Sequence, residues 1–352
     1  MLRAAYTPYR LDFNFKALTS RGALPYKDTF YVKVWDEATP DKFGIGECAL
    51  FRGLSKEDTP QYEQVLYNLC RSLNRGEDYD ISAYSSIRFG LETAMSDFKH
   101  DCLHTPFPSE FVGGASSITI NGLVWMGSID EMCHRAEQKI AEGFRCIKFK
   151  VGGQNFEQEF QLLERLREKY GTESLEIRID ANGAFTPENA QERLNRLASL
   201  DIHSIEQPIA AGQWEAMATL CRESPIPIAL DEELIGCYSI EEKCRILDYI
   251  HPSYIILKPA LCGGFCSAKE WIAEAVNREI GWWVTSSLES NIGLNAIAQW
   301  VGSMNVEIPQ GLGTGGLFTN NIHSPLVRRG EELSYNPSKE WSFPELQWIA
   351  PE

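Results

Sequence analysis

Lys150, Asp180, Glu206, Asp231 and Lys258 follow one another at intervals of 30, 26, 25 and 27 residues. Each interval is about one strand-plus-helix unit of a β/α barrel, so the five side chains are predicted to reach successive positions around one rim, the face on which barrels carry their chemistry. Three carboxylates in one pocket raise each other's pKa and resist joint ionisation, and a hard divalent cation resolves the conflict. Ligation by oxygen alone, with no His or Cys in step, favours Mg²⁺, with Mn²⁺ as its substitute, over zinc. A plainer reading pairs each acid with a rim lysine; it accounts for any one acid better than for three in rhythm. The two lysines bracket the acids in sequence order, so a closing barrel sets them across the pocket as opposed bases. Such a base must have its ordinary pKa of about 10.4 lowered by about two to three units, which a nearby dication and a second amine supply. Lys148 stands two residues before Lys150 and shares its face of the strand. The two serve together, either in proton chemistry or as grips for a phosphate or carboxylate.

The elements that must position these residues are also legible. From about residue 115 to 310 a short apolar stretch, a polar or Gly-rich loop and an amphipathic helix recur in turn. Eight strands are predicted, in SITING (Ser117 to Gly122), CIKFKV, LEIRIDAN, IHSIEQP, IPIALDEE, YIILKPA, WWVTSSLE and NVEIPQG. Intervening segments such as NFEQEFQLLERLREKY carry apolar residues at i, i+3, i+4 and i+7, as helices packed outside a barrel require. The fold class is therefore α/β, a β/α barrel over residues 109–320. Residues 1–108 read as an α+β capping domain, with strands in DTFYVKVWDE and FGIGECALF followed by helices in PQYEQVLYNLCRSL and SSIRFGLETAMSDF. The segment 321–352 has no further strand–helix unit and is expected to return to the capping domain. TSRGALPYKDT reads as a loop closing over the pocket, where Arg21 and Lys27 either meet an anionic substrate or stay solvated.

The motifs KFK (Lys148 to Lys150), DAN (Asp180 to Asn182), EQP (Glu206), LDE (Asp231, Glu232) and LKP (Lys258) come in order over nearly the whole chain. Together they resemble the muconate-lactonizing subgroup of the enolase superfamily. The resemblance implies that Asp180, Glu206 and Asp231 hold Mg²⁺ and that Lys150 is the base, tuned by Lys148 and faced by Lys258. Asn182 and Glu232 would stand behind the ligands. It also implies a shared half-reaction, in which a lysine removes the proton α to a metal-bound carboxylate.

Within the subgroup, Arg178 two residues before the first ligand, SSLESNIGL (Ser286 to Leu294) and EIPQGLGTGGLF are similar to the o-succinylbenzoate synthases of menaquinone biosynthesis. In that family the substrate is a cyclohexadiene carboxylate bearing a succinyl arm and a hydroxyl. Lys150 would abstract the proton and return it to the departing hydroxide, a syn elimination. The resemblance places Arg178 at the substrate, with Thr285, Ser286 or Ser287 and the backbone of Gly311 and Leu312 as hydrogen-bond donors to the succinyl arm. The glycines of GLGTGG serve either that contact or a tight turn. N-acylamino acid racemases and muconate cycloisomerases share the machinery; dipeptide epimerases carry a DxD motif at the eighth strand, where this chain has GLGTGG. Two readings of other kinds are a metal-independent phosphosugar barrel enzyme, with GLGTGG cradling phosphate, and a non-catalytic binding barrel.

A formal charge of −16 with no basic run argues against nucleic-acid and anionic-membrane partners. A small-molecule carboxylate is the expected partner. No apolar run is long enough to span a bilayer and MLRAAYTPYRLDF lacks the apolar stretch of a signal peptide, so a cytoplasmic protein is expected. Ten cysteines without a CxxC pair are expected to be reduced thiols. His100, Cys102 and His104 read as a polar interdomain turn in preference to a zinc site.

Overall fold

Two long strands begin the chain. β1 (Leu2–Thr19) and β2 (Gly22–Asp36) pair antiparallel from Leu2↔Asp36 to Thr19↔Gly22, and β3 (Phe43–Cys48) pairs with the other edge of β2. The computed structural model describes residues 1–19, 22–153 and 155–352, so Arg21, expected at the substrate, lies outside the described residues. The stretch expected to be a loop is otherwise strand, since Gly22 to Lys27 run in β2. Pro25 is tolerated there because it falls opposite the irregularity between Asp12 and Ala17, where no ladder bond is lost.

Helices α1 (Tyr62–Arg75) and α2 (Ser85–Lys99) cover this sheet. α2 approaches β3 backbone to backbone: a Cβ added to Gly46 would meet the Gly90 carbonyl oxygen at 1.9 Å, and one on Gly90 would meet Cys48 Sγ at 2.5 Å. Glycine on both sides is what that approach requires. His104 follows α2 and lies 2.9 Å from Asp97 Oδ2, among the rings of Phe43, Trp341 and Phe343, a packed polar turn.

β4 (Ser117–Thr119) and β5 (Gly122–Val124) lead into the repeating units. These run α3 (Ile129–Ala141), β6 (Cys146–Lys150), α4 (Phe156–Lys169), β7 (Glu176–Asp180), α5 (Pro187–Leu197), β8 (Ser204–Glu206), α6 (Trp214–Glu223), β9 (Ile228–Leu230), α7 (Ile240–Ile250), β10 (Tyr254–Leu257), α8 (Gly264–Val276), β11 (Gly281–Val284) and α9 (Asn291–Gly302). Seven parallel strands form one sheet in the order β5 to β11. Along β6 and β7 alternate residues Ile147, Phe149, Ile177 and Ile179 pack into the main core, leaving Lys148, Lys150, Arg178 and Asp180 on the inner face. Burying each such apolar side chain contributes roughly 1.5–3 kcal/mol.

Two of the eight predicted strands differ. SITING is split: Ser117 to Thr119 pair antiparallel with a C-terminal hairpin, β12 (Leu326–Arg329) and β13 (Glu332–Tyr335), and the barrel sheet begins at Gly122. NVEIPQG forms no strand. Gln310 and Gly311 instead make single parallel bridges to Ile120 and Thr285, linking the two ends of the curled sheet. Pro309, just before them, has no N–H to extend a ladder. Beyond β13 the chain returns to the N-terminal sheet, where Ile349 bridges Tyr6 and Asn74 Nδ2 donates to the Pro351 carbonyl at 2.7 Å.

Two carboxylates cross between the N-terminal sheet layer and the helices of the curled parallel sheet. Glu47 of β3 accepts from Ser290 N, Ser290 Oγ and Gly293 N at the start of α9, and Glu92 of α2 accepts from Phe265 N and Cys266 N at the start of α8. Each satisfies orphan N–H groups at a helix N-terminus and opposes the dipole there. No helix among the described residues is long and apolar enough to cross a membrane.

Candidate active site

The parallel register brings the rim charges to one level. Lys150 pairs with Asp180 and Asp180 with Glu206 across β6, β7 and β8; Asp231 and Lys258 follow directly on β9 and β10. Lys148 Nζ lies 2.8 Å from Glu206 Oε2 and 3.4 Å from Asp180 Oδ2. Lys150 Nζ donates to Asp180 Oδ2 at 3.0 Å and to Asn182 Oδ1 at 2.8 Å. Lys258 Nζ pairs with Asp231 Oδ2 and stands 3.9 Å from Glu206 Oε1. Asn182 extends the set, donating from Nδ2 to Glu232 Oε1 at 3.1 Å. All three acids are buried, so the structure joins them to the lysines and to each other in one low-dielectric cluster.

Their electrostatics reflect that crowding. Burial, reinforced by the charges of Asp180 and Asp231, pushes Glu206 up to about 8. Burial also raises Asp231, against the pull of Lys258. Asp180 is held below its ordinary value: burial works the other way, but Lys150 and Lys148 outweigh it. Burial disfavours the charge on Lys148 and on Lys258, yet Glu206 and Asp180 raise the first, and Asp231 and Glu206 the second, above the usual lysine value.

The donor set fits a hard cation. Glu206 Oε1 is buried and accepts no hydrogen bond among the described residues, and two of the three buried carboxylates, Glu206 and Asp231, have raised pKa values that more positive charge close to their oxygens would relieve. Among the described residues no group of three or more His, Cys, Asp or Glu has closed to metal-holding geometry; the ammonium groups of Lys148, Lys150 and Lys258 lie against the acids.

Above the cluster opens a cleft. Lys148, Lys150, Asp180, Asn182, Glu232 and Lys258 line one part; Thr285, Ser286, Ser287, Gly311, Gly313 and Thr314 line another. Phe51, Leu54, Trp125, Leu261 and Leu288 complete an apolar wall.

The family model described as "Enolase C-terminal domain-like" matches residues 131–315. The o-succinylbenzoate synthase of Desulfotalea psychrophila is 42% identical, with 94% of this chain and 98% of that protein aligned. The chain belongs to the o-succinylbenzoate synthase family of the enolase superfamily. The crystal structure of MenC from Desulfotalea psychrophila superposes with a TM-score of 0.85 at 39% identity, covering 95% of this chain and 99% of that one. The N-succinyl-L-Arg/Lys racemase of Bacillus cereus is 26% identical over 72% of this chain and 70% of its own. The L-Ala-D/L-Glu epimerase of Bacillus subtilis shares the fold, with a TM-score of 0.80 at 18% identity over 95% of each chain.

Of the residues expected at the substrate, Thr285, Ser286, Ser287 and Gly311 line the cleft and Arg178 does not. Arg178 shares the inner face of β7 with Asp180 but sits one layer deeper, 1% exposed and not lining the cleft. Its guanidinium donates to Glu176 and to the Pro309 carbonyl and lies over the Trp283 ring. The Leu312 side chain packs in the hydrophobic core, which leaves the expectation for its backbone as it stood. The hydroxyls are not free donors: Thr285 Oγ1 donates to the Gly311 carbonyl at 3.0 Å, and Ser286 and Ser287 give their protons to the Glu289 carboxylate. Gly311 N is spent on the Val284 carbonyl. For Gly311 the close approach is explicit, because an added Cβ would lie 2.1 Å from Thr285 Oγ1. Asn121, Trp125, Phe51 and Leu288 also face the cleft without having been singled out. Only Asn121 carried a signal, a polar residue at the end of an apolar run.

Proposed function

We propose that this chain is a Mg²⁺-dependent hydro-lyase that converts 2-succinyl-6-hydroxy-2,4-cyclohexadiene-1-carboxylate to o-succinylbenzoate. The observation that carries the reading is the meeting of Lys148, Lys150 and Lys258 with Asp180, Glu206 and Asp231 under a cleft, in a chain 42% identical to an o-succinylbenzoate synthase.

Asp180, Glu206 and Asp231 would hold Mg²⁺, which supplies positive charge beside the substrate's ring carboxylate and so acidifies the adjacent C–H. Lys150, uncharged at that moment, takes this proton on Nζ. The electron pair left on carbon moves into the ring, the C–O bond to the hydroxyl breaks, and the Lys150 ammonium returns the proton so that water leaves. Asn182 Oδ1 aims the Lys150 amine through its 2.8 Å hydrogen bond. Lys258, four strand positions away around the curled sheet, stays protonated and faces the developing negative charge. Lys148 bridges Glu206 and Asp180, and its charge favours the ionised form of each against their burial. Phe51, Leu54, Trp125 and Leu288 keep bulk water from the reacting carbon.

A second reading, N-acylamino acid racemisation, is favoured by the placement of Lys150 and Lys258 on separated strands and by the likeness to the Bacillus cereus racemase. The deciding experiment incubates the Mg²⁺-loaded protein with the cyclohexadiene substrate and, separately, with N-succinylamino acids. Formation of the aromatic product supports the proposal; racemisation with no dehydration overturns it.

A further inference from the structure

The sequence left Lys27 as either a contact for an anionic substrate or a solvated loop charge; it is 6% exposed, and its Nζ finds no hydrogen-bond acceptor among the described residues. A buried ammonium in that condition is costly unless something supplies the acceptor. The nearest acids do not. Glu47 and Glu289 are close enough for their charges to act on Lys27, but neutral donors already satisfy them, Glu47 through Thr29, Ser290 and Gly293 and Glu289 through Ser286 and Ser287.

Lys27 lines a small pocket that shares Phe51 and Leu288 with the cleft, so the two spaces adjoin across those side chains. The pocket's other cation, Arg52, is taken up by Asp58 at 2.7 Å and Asp28 at 3.5 Å. On the cleft side, the Thr285, Ser286 and Ser287 protons are committed inward, so those hydroxyls offer lone pairs. An anionic group arriving at this end of the cleft meets acceptors on the barrel wall and one uncommitted ammonium on the capping sheet.

We propose that Lys27 is the specificity-determining group for the non-reacting, distal carboxylate of the substrate, received between Phe51 and Leu288. This rests on the dicarboxylate substrate of the preceding subsection and adds the residue that reads its second charge. The N–H groups of Lys27 donate charge-assisted hydrogen bonds to that carboxylate, and the reacting carboxylate lies at the opposite, lysine-and-acid end.

The test compares two ligands of the Mg²⁺-loaded protein by calorimetry: o-succinylbenzoate, and 2-butyrylbenzoate, which keeps the ring carboxylate and ketone but ends in methyl. The parent protein should prefer the dicarboxylate by about ten- to a hundredfold, as expected for a hydrogen bond to a charged group. Lys27→Met should abolish that preference while leaving the monocarboxylate's Kd within about twofold of the parent, and Lys27→Arg should restore part of it. In turnover, Lys27→Met should raise KM with kcat largely kept. Should Lys27→Met not fold, Leu288→Trp, which narrows the passage, should weaken the dicarboxylate selectively. A preference that survives in Lys27→Met, or an equal weakening of both ligands in the variant that folds, overturns the assignment. A parent protein that dehydrates the substrate while Lys27→Met keeps its preference refutes this inference alone; a parent that dehydrates nothing refutes the function beneath it.

Discussion

Lys148 Nζ lies 2.8 Å from Glu206 Oε2 and 3.4 Å from Asp180 Oδ2, so one ammonium spans two of the three acids proposed to hold the metal. The amine thereby provides part of the positive charge these carboxylates need when no dication is bound. Removing it should hurt most in that state. Lys148→Met is expected to lose roughly 3 kcal/mol in EDTA, the usual scale for leaving a buried charge unpaired, and to recover much of it in excess Mg²⁺ through preferential binding to the folded state. Urea unfolding under both conditions measures this. An identical loss with and without Mg²⁺ argues against a shared cation site.

Lys150 is the amine with the Asn182 oxygen behind it. Lys150→Ala should lower kcat by about two to four orders of magnitude, the span of general acid–base contributions, with an unchanged far-UV spectrum. Asp180→Asn should be similarly impaired and should also require more Mg²⁺ for half-maximal activity. Appreciable turnover in either variant contradicts the roles given to them.

How much of this was readable beforehand follows from the kind of information each feature needs. The rim spacing was legible because a strand–helix unit has a nearly fixed length, and register then brings Lys150, Asp180 and Glu206 level. Alternation by two places Arg178 on the same face as Asp180, but the period gives the face and not the depth, and so an interior arginine resembled a substrate contact. Lys27 was obscured by Gly22 and Pro25, turn formers that here sit in a strand. The joining of Glu47 to Ser290 spans 243 residues and leaves no local trace. Glu289, in contrast, is in the same short segment as Ser286 and Ser287, and a carboxylate so close to two serines is a local sign that their protons are taken.

The barrel interior below the cleft holds a titratable group of its own. His203 packs 5.3 Å from the Tyr254 ring, beside Glu176 and Arg178. Burial lowers its pKa from 6.5, with Arg178 adding to the effect and Glu176 opposing it. In the unfolded chain the ring takes up its proton near 6.5; in the folded protein it does so at lower pH. The unfolded state therefore binds more protons once pH falls below that value, and His203 contributes a loss of stability on acidification. His203→Gln should lessen the drop in urea midpoint between pH 7.5 and pH 5.5. A variant with the same or a steeper drop would show that the ring titrates normally.

Gly311 lies where the two ends of the curled sheet are tied together. Its N–H reaches the Val284 carbonyl, its carbonyl accepts from Ser286 N and Thr285 Oγ1, and it forms the bridge to Thr285. A methyl group there would sit 2.1 Å from Thr285 Oγ1 and 2.6 Å from Thr285 Cβ, closer than any side chain tolerates. Because the contact is with a hydroxyl-bearing side chain held by the same bridge, neither partner can turn aside without breaking the tie. Gly311→Ala should therefore destabilise by about 1–3 kcal/mol, the range for overpacking, and should raise KM by displacing Thr285 and Ser286 from the cleft wall. Thr285→Gly in the same chain removes both clashing atoms and should return part of the stability, so the pair should be non-additive in a double-mutant cycle. Strict additivity would mean that Gly311 is needed for its backbone conformation and not for this contact.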